Sequence, residues 1–265
     1  MSRVNKSNRV TRANSVAKSN RVATSNRQYG FTPKDISGCV WWLRADDVTV
    51  KQGGVSEIND KSGNGHIVTQ STNSLRAPLI SSVAAFNNKP VIRFSDAQWY
   101  EKIGGITLPY SSNPMTAFMV GSISTIPDAG PNGFFSYFTN TTGTLHAYAR
   151  IQATGNFRVA IESTPVDTSL SASPANSAHI FAYTFTQGSL LTYRDGIAGA
   201  TGTPSGFLSA GATPLLRVGT TDGATTPTSS FYGGDIAEII VYNSVLSTEN
   251  RQKVEQYLKL RYNIA

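Results

Sequence analysis

Short runs of apolar or alternating residues recur along most of the chain, separated by clusters of Gly, Pro, Asn and Ser. The alternation is clearest in HIFAYTFT and FRVAIE, the pattern of strands that bury one face. The runs predict eleven strands: Cys39–Ala45, His66–Gln70, Val91–Ser95, Thr116–Ile123, Phe134–Tyr137, Leu145–Ile151, Phe157–Glu162, His179–Thr186, Leu190–Arg194, Leu215–Gly219 and Asp235–Tyr242. Many strands without alternating helices predict an all-β fold, an antiparallel two-sheet jelly roll.

One segment near the C-terminus has helical spacing instead. Its apolar stripe consists of Val254, Tyr257, Leu258 and Tyr262. Ser247 or Thr248 can cap the first turn, where Glu249 meets the positive end of the helix dipole, and Lys259 and Arg261 lie near the negative end. We therefore predict a C-terminal helix that packs on the sandwich.

The first 28 residues follow a different pattern, a repeat of six residues that reads RVNKSN, RVTRAN, SVAKSN, RVATSN. Valine recurs once per hexad, at Val4, Val10, Val16 and Val22. Seven basic residues lie in this arm: Arg3, Lys6, Arg9, Arg12, Lys18, Arg21 and Arg27. The first carboxylate is Asp35, and the other 16 Lys and Arg equal the 16 Asp and Glu of the chain. The arm therefore carries the whole net charge of +7.

Three interpretations of the arm remain open. A disordered basic tail would explain its charge and low complexity, but not an apolar residue at every sixth position. The valine spacing resembles the hexapeptide repeat of left-handed β-helices, and three chains would have to wind together because four hexads make little more than one turn. An extended strand, up to roughly 90 Å long, could instead lie along an anionic partner. The last two interpretations make the segment an anchoring or oligomerising arm. The lack of interleaved aromatic residues argues against nucleic-acid binding by the arm.

Composition limits the compartment and the domain organisation. The single cysteine, Cys39, excludes an internal disulfide, and its apolar neighbours predict a small core residue. No apolar run reaches 18 residues, so no membrane span is expected, and the basic N-terminus lacks the apolar stretch of a secretory signal. We divide the chain into an arm (1–28), a linker (29–38) and a jelly-roll domain (39–265).

Several motifs resemble a known family. The segment GGDIAEIIVYNSVLSTENRQKVEQYLKLRYNI (233–264) ends the chain, and WLRADD (42–47), INDKSGNG (58–65) and NKPVIRF (88–94) open the body. A central hairpin, LLTYRDG (190–196), precedes LRVG (216–219). These motifs are similar to those of laminin-G-like, concanavalin A-like jelly-roll domains of bacterial and phage surface proteins. The resemblance implies a two-sheet jelly roll, a fold that serves lectins, glycosidases, adhesion modules and inert structural domains alike.

The sequence offers little evidence for catalysis. Glycoside hydrolysis needs two carboxylates around the scissile bond, and related glucanases place them on one strand as E-x-D-x-E. No such triplet occurs: Glu238 stands alone in its strand, and the adjacent Asp46 and Asp47 point to opposite faces. The histidines His66, His146 and His179 have no metal-ligand spacing. We therefore predict no enzyme activity and no cofactor.

Two weaker binding sites can be suggested. Asp60 and Asn64, with Ser62 between them, offer oxygens at alternate positions, as a calcium loop would, although an Asx turn explains them more readily. For carbohydrate, Trp99, Tyr100 and Tyr232 lie at the edges of runs and could form an aromatic platform.

These observations together predict a non-catalytic structural protein on a phage virion surface, such as a capsid decoration, head-fibre or tail-fibre protein. Its basic arm would form a homotrimer or bind another virion protein, through Arg3, Val4, Arg9, Val10, Arg12, Val16, Lys18, Arg21, Val22 and Arg27. A carbohydrate-binding adhesion module that recognises a cell-surface glycan is the second hypothesis, and a glycoside hydrolase is the third.

Overall fold

A computed structural model describes residues 30–95, 97–109, 113–124, 132–138, 145–152, 155–161, 164–167, 175–204 and 214–265. The chain divides into two units, Met1–Gly30 and Phe31–Ala265, and the fold described here is that of the second. The predictions for the arm, at Arg3, Val4, Arg9, Val10, Arg12, Val16, Lys18, Arg21, Val22 and Arg27, lie outside the described residues.

The described residues form sixteen strands and one α-helix. The strands are β1 (Cys39–Lys51), β2 (Gly54–Asp60), β3 (Val68–Thr69), β4 (Leu79–Val83), β5 (Lys89–Ser95), β6 (Tyr100–Ile103), β7 (Met115–Ile123), β8 (Asn132–Phe138), β9 (Leu145–Ile151), β10 (Phe157–Ile161), β11 (Thr164–Asp167), β12 (His179–Thr186), β13 (Ser189–Arg194), β14 (Ile197–Gly202), β15 (Leu215–Val218) and β16 (Gly233–Tyr242). The helix α1 spans Thr248–Tyr262. The all-β class with a C-terminal helix is confirmed.

The strands form one hydrogen-bonded network, and every described pairing is antiparallel. Its order is β11-β10-β9-β8-β15-β6-β3-β2-β1-β16-β7-β12-β13-β14, and β5 pairs with both β16 and β4. All eleven predicted strands are present, although the one predicted at His66–Gln70 covers only Val68–Thr69. The strands β2, β4, β6, β11 and β14 were not predicted, because they are short or rich in polar residues and glycine.

Two apolar cores lie on opposite faces of the strands. The larger one contains Trp41, Phe94, Tyr100, Phe134 and Phe181. The smaller one lies between α1 and the other face of β1, β16, β7 and β12, and contains Trp42, Phe118, Tyr242, Val254, Leu258 and Tyr262. The helix therefore buries most of the apolar stripe that the sequence predicted. Because adjacent strand residues point to opposite faces, the neighbouring tryptophans of β1 enter different cores.

The sequence motifs at the two ends of the domain meet in a buried network around Glu238. Its carboxylate accepts hydrogen bonds from Trp42 Nε1 (2.6 Å), Tyr262 OH (2.7 Å) and Tyr257 OH (3.0 Å). Arg261 Nε lies 3.5 Å away. These contacts join β1, β16 and α1, so the residues that carry the family resemblance hold the fold together.

Candidate functional site

The register of three strands places one polar side chain from each in a row. Arg93 of β5 is opposite Asp235 of β16, and Asp235 is opposite Ser122 of β7. Cross-strand partners point to the same face of a sheet. The neighbouring residues Ile92 and Ile236 point the other way, into the larger core. Arg93, Asp235 and Ser122 therefore share the face that points away from this core.

Arg93 and Asp235 form a bidentate ion pair, in which two guanidinium N–H groups donate to the two carboxylate oxygens. Arg93 Nε donates to Asp235 Oδ1 at 2.7 Å, and Arg93 Nη2 donates to Asp235 Oδ2 at 2.9 Å. The hydrogen bond to Asp235 raises the pKa of the Arg93 guanidinium, which therefore carries its positive charge at neutral pH. The Asp235 side chain is 9% exposed, whereas that of Arg93 is 48% exposed. The pair is therefore anchored in the sheet and open on the arginine side.

This pair lies in a cleft of about 300 Å³, lined by Arg93, Phe94, Ser95, Ser122, Ser124, Asn176, Gly234 and Asp235. The Asn176 backbone N–H donates to the Ile123 carbonyl (2.7 Å), which fixes the segment before β12 beside the end of β7. The side chains of Ser122, Ser124 and Asn176 make no hydrogen bond within the described part of the chain. The cleft thus offers two hydroxyls and an amide beside an ion pair.

Aromatic packing and one glycine shape the wall of the cleft. Tyr232 donates its hydroxyl to the Ser122 carbonyl (2.9 Å), and its ring lies 4.6 Å from Phe134 and 6.0 Å from Phe94. Gly234 has a φ of +152°, and a Cβ at this position would overlap the carbonyl oxygen of Ser122. Only glycine therefore permits this close approach of β16 and β7.

A second polar surface lies on the face of β2, β3, β6 and β15 that points away from the larger core. Glu57 and Glu101 are both opposite Thr69, and Glu101 is opposite Arg217. Arg217 is 1% exposed; its guanidinium donates to Glu101 Oε2 at 3.1 and 3.2 Å and lies 5.0 Å from the ring of Trp99.

The predicted aromatic platform is not present as an exposed surface. Trp99 is 8% exposed, and Tyr100 and Tyr232 are fully buried. Trp99 packs beneath Arg217, and Tyr100 donates its hydroxyl to the Val55 carbonyl (3.0 Å) inside the larger core. These rings cannot stack on a sugar, so this prediction is corrected, although Tyr232 does support the cleft from below.

The weak calcium candidate forms an Asx turn. The Asp60 carboxylate accepts hydrogen bonds from the backbone N–H groups of Trp42 (3.1 Å), Ser62 (2.9 Å) and His66 (2.9 Å). Asn64 donates its side-chain amide to the Val40 carbonyl (3.2 Å). The described residues contain no group of three or more His, Cys, Asp or Glu placed to hold a metal ion.

Two other sequence predictions concern Cys39 and membrane association. Cys39 is half-buried rather than fully buried, and burial raises the pKa of its thiol to about 12, which keeps it protonated at neutral pH. In the described part of the chain, no helix is long and apolar enough to cross a membrane.

Comparison with known proteins identifies similar folds. An arabinofuranosidase complexed with arabinofuranosyl-α-1,2-xylobiose has a TM-score of 0.61 at 13% identity, covering 86% of this chain and 60% of its own. Trypanosoma rangeli sialidase in complex with 2,3-difluoro-KDN has a TM-score of 0.55 at 12% identity, covering 85% of this chain and 33% of its own. The CBM40 of a Ruminococcus gnavus sialidase bound to α2,3-sialyllactose has a TM-score of 0.50 at 14% identity, covering 64% and 96%.

No protein family and no curated protein matches the sequence. At these identities the structural likeness establishes an all-β fold, and this chain spans about 60% of the arabinofuranosidase it resembles.

The comparison corrects two predictions. The protein was expected to be a structural protein of a phage virion surface and not an enzyme. Both predictions are wrong against this finding, because the solved structures that share the fold belong to glycoside hydrolases and sialidases. The search for paired carboxylates along single strands also missed Glu57 and Glu101, which only the sheet register brings to one face.

Proposed function

We propose that the described unit is the carbohydrate-recognition domain of a carbohydrate-active protein, with the polar cleft as its sugar site. One observation carries the proposal: beside the Arg93–Asp235 pair, the side chains of Ser122, Ser124 and Asn176 present polar groups that make no hydrogen bond to any residue the structure describes. Polar groups that converge in a cleft of this size are typical of small-ligand sites. The fold shared with arabinofuranosidase, sialidase and a sialidase CBM40 supports the proposal.

A glycan array tests this function. The full chain should bind at least one glycan class, and the double substitution Ser124→Ala and Asn176→Ala should weaken that binding at least tenfold, because both groups would contact the sugar. Ser82→Ala, an exposed serine of β4, serves as the control and should change nothing. Binding that survives the double substitution would place the sugar elsewhere, and no binding to any glycan would contradict the function.

Glycoside hydrolysis is a second candidate function, favoured by Glu57 and Glu101. Two strand spacings separate the backbones of β2 and β6, roughly 10 Å. Inverting glycosidases hold their carboxyl groups about 6.5–9.5 Å apart, so side chains from these strands can reach that geometry.

Release of reducing ends from a panel of arabinans, xylans and sialylated glycans tests hydrolysis. Glu57→Gln and Glu101→Gln should each abolish release, because each removes one of the two required carboxyl groups. Glu249→Gln, an exposed residue of α1, is the control. Hydrolysis that persists in both variants would exclude this pair.

We further propose that the sheet network is a two-sheet jelly roll of the laminin-G-like type and that residues 1–28 are a separate oligomerising arm. Contacts across the larger core between strands that do not pair, Trp41 with Phe135 and Phe134 with Phe181, support the first point. The valine repeat supports the second. We expect light scattering to show a trimer for the full chain and a monomer for a chain that starts at Phe31. Replacement of Val4, Val10, Val16 and Val22 by Asp should have the same effect, and an unchanged oligomeric state would contradict the proposal.

A further inference from the structure

We propose that the Arg93–Asp235 pair recognises two hydroxyl groups on adjacent carbons of a neutral sugar. This inference rests on the proposed carbohydrate function and names the chemistry of the same cleft. It predicts which sugars bind: those with an unsubstituted vicinal diol at the position that enters the cleft.

The hydrogen-bonding capacity of the pair supports this inference. A guanidinium has five N–H donors, and Arg93 uses two of them on Asp235. A carboxylate has about four acceptor sites, and among the residues that the structure describes Asp235 accepts one hydrogen bond on each oxygen. The outward edge of the pair therefore holds donors of Arg93 next to acceptors of Asp235, and hydrogen bonds from such charged groups are the stronger kind.

A vicinal diol complements that edge. One hydroxyl can accept from the guanidinium while its neighbour donates to the carboxylate, so both charged groups gain a partner without breaking their own ion pair. A single hydroxyl satisfies only one of them. The hydroxyls of Ser122 and Ser124 and the amide of Asn176 line the same cleft and can bind further sugar hydroxyls.

The charge balance argues for a neutral sugar. Asp235 already neutralises Arg93 through two hydrogen bonds, so an anionic sugar would meet a carboxylate as well as a guanidinium. Like charges in close contact disfavour binding.

The test uses methyl glycosides of galactose, mannose and xylose together with analogues that lack one hydroxyl of each vicinal diol. Binding is followed by titration of the NMR signal of the Arg93 Nε–H in the full chain. We expect at least one parent glycoside to shift this signal, and removal of either hydroxyl of one vicinal pair to weaken its binding at least tenfold. Methyl galacturonoside, the carboxylate counterpart of the galactoside, should bind no tighter than the galactoside itself.

Substitutions of the two charged residues provide a second test. Arg93→Lys removes the bidentate geometry and Asp235→Asn removes the negative charge, and each should abolish the preference for the diol over its deoxy analogue. Lys253→Gln on α1 changes the net charge by one unit at a residue that does not line the cleft, and it should preserve the preference.

The outcomes separate the inference from the function. If parent and deoxy glycosides bind within twofold of each other, or if the uronoside binds more tightly, the diol inference is wrong while carbohydrate binding stands. If none of the sugars or glycans binds at all, the proposed function fails and the inference fails with it. The deoxy series on the unsubstituted chain decides the question even where a variant does not fold.

Discussion

At the scale of single residues, Glu238 shows how a motif can serve the fold rather than the chemistry. Its strand, β16, also carries Asp235 but lacks the carboxylate triplet of the related glucanases, and Glu238 was the residue of this strand to examine for catalysis. In the structure its side chain is fully buried and accepts three hydrogen bonds, from Trp42, Tyr257 and Tyr262. A carboxylate in this position has no access to a substrate, and one of its partners, Trp42, comes from the other end of the domain.

Replacement of Glu238 by leucine should be strongly destabilising. The change leaves two buried donors, on Trp42 and Tyr262, and the half-buried Tyr257 hydroxyl without this acceptor. Removal of one partner of a buried charged network typically costs about 3–5 kcal/mol. Urea unfolding of the variant would measure the loss in unfolding free energy. Glu249→Leu, at an exposed position of α1, should cost far less, and equal losses in the two variants would show that the network around Glu238 contributes little.

The titration of Glu238 should be visible in the pH dependence of stability. Burial raises its pKa above the ordinary value of 4.5, although the hydrogen bond from Tyr262 and the charge of Arg261 oppose this shift. A raised pKa means that the folded state holds the proton more tightly than the unfolded state does. The stability contributed by this proton is full below about pH 4.5 and is lost as the pH rises through the folded-state pKa.

Glu238→Gln, which keeps the shape of the protonated acid, is the reference for that measurement. The melting temperature of the unsubstituted chain relative to this variant should fall between pH 4 and pH 8. A relative melting temperature that rises over this range would mean that Arg261 and the hydrogen bonds outweigh burial and lower the pKa.

At the scale of elements, the close approach of β16 and β7 depends on one glycine. The φ of Gly234 lies in a region that side chains rarely adopt, and its missing Cβ leaves room for the Ser122 carbonyl. The same contact positions Ser122 and Asp235 in the cleft, so the geometry of the site and the pairing of the two strands have a common origin.

Gly234→Ala should therefore cost more than an alanine at an ordinary left-handed glycine. Gly188 is the matched control, because it has a φ of +75° and nothing lies within 4 Å of its missing Cβ. Gly188→Ala should cost about 1–2 kcal/mol through backbone strain alone, and Gly234→Ala should exceed this because the strands must also separate. Denaturant unfolding measures the loss in unfolding free energy of both variants. Equal losses would show that β7 and β16 can move apart at little energetic cost.

At the scale of the whole molecule, the two ends of the unit stabilise one another. The helix covers the smaller core, and Trp42 near the start contacts Glu238 near the end. The backbone N–H of Asn243 also donates to the Gly38 carbonyl at 2.9 Å. These contacts make the C-terminal helix an integral part of the domain.

Two truncations should therefore have opposite effects. A chain that starts at Phe31 keeps every described contact and should melt cooperatively within a few degrees of the full chain. A chain that ends at Leu246 exposes Trp42, Phe118 and Tyr242 and should lose cooperative unfolding, because the smaller core has no cover. Calorimetry distinguishes the two, and a cooperative transition in the helix-free chain would contradict this account.

The sequence by itself determined those elements whose signal is local. Alternation located strands such as β12, where HIFAYTFT buries one face, and helical spacing with a cap located α1, whose Ser247 accepts from Asn250 N–H. It missed β2 and β14, because GVSEIND and IAGATG alternate weakly and owe their pairing to neighbouring strands. A local pattern of apolar and polar residues indicates which side chains are buried. It does not show β2 and β14, because these strands form through pairing with neighbouring strands.

Only the tertiary structure decided the site. Arg93, Ser122, Asn176 and Asp235 are distant in the sequence and share no motif, and the register of β5, β16 and β7 brings three of them into one row. The reverse holds for Trp99, Tyr100 and Tyr232: they looked available because they lie at the edges of apolar runs, but packing buries them. Exposure and proximity depend on which strands pair and which face the core, and a single sequence does not encode that locally.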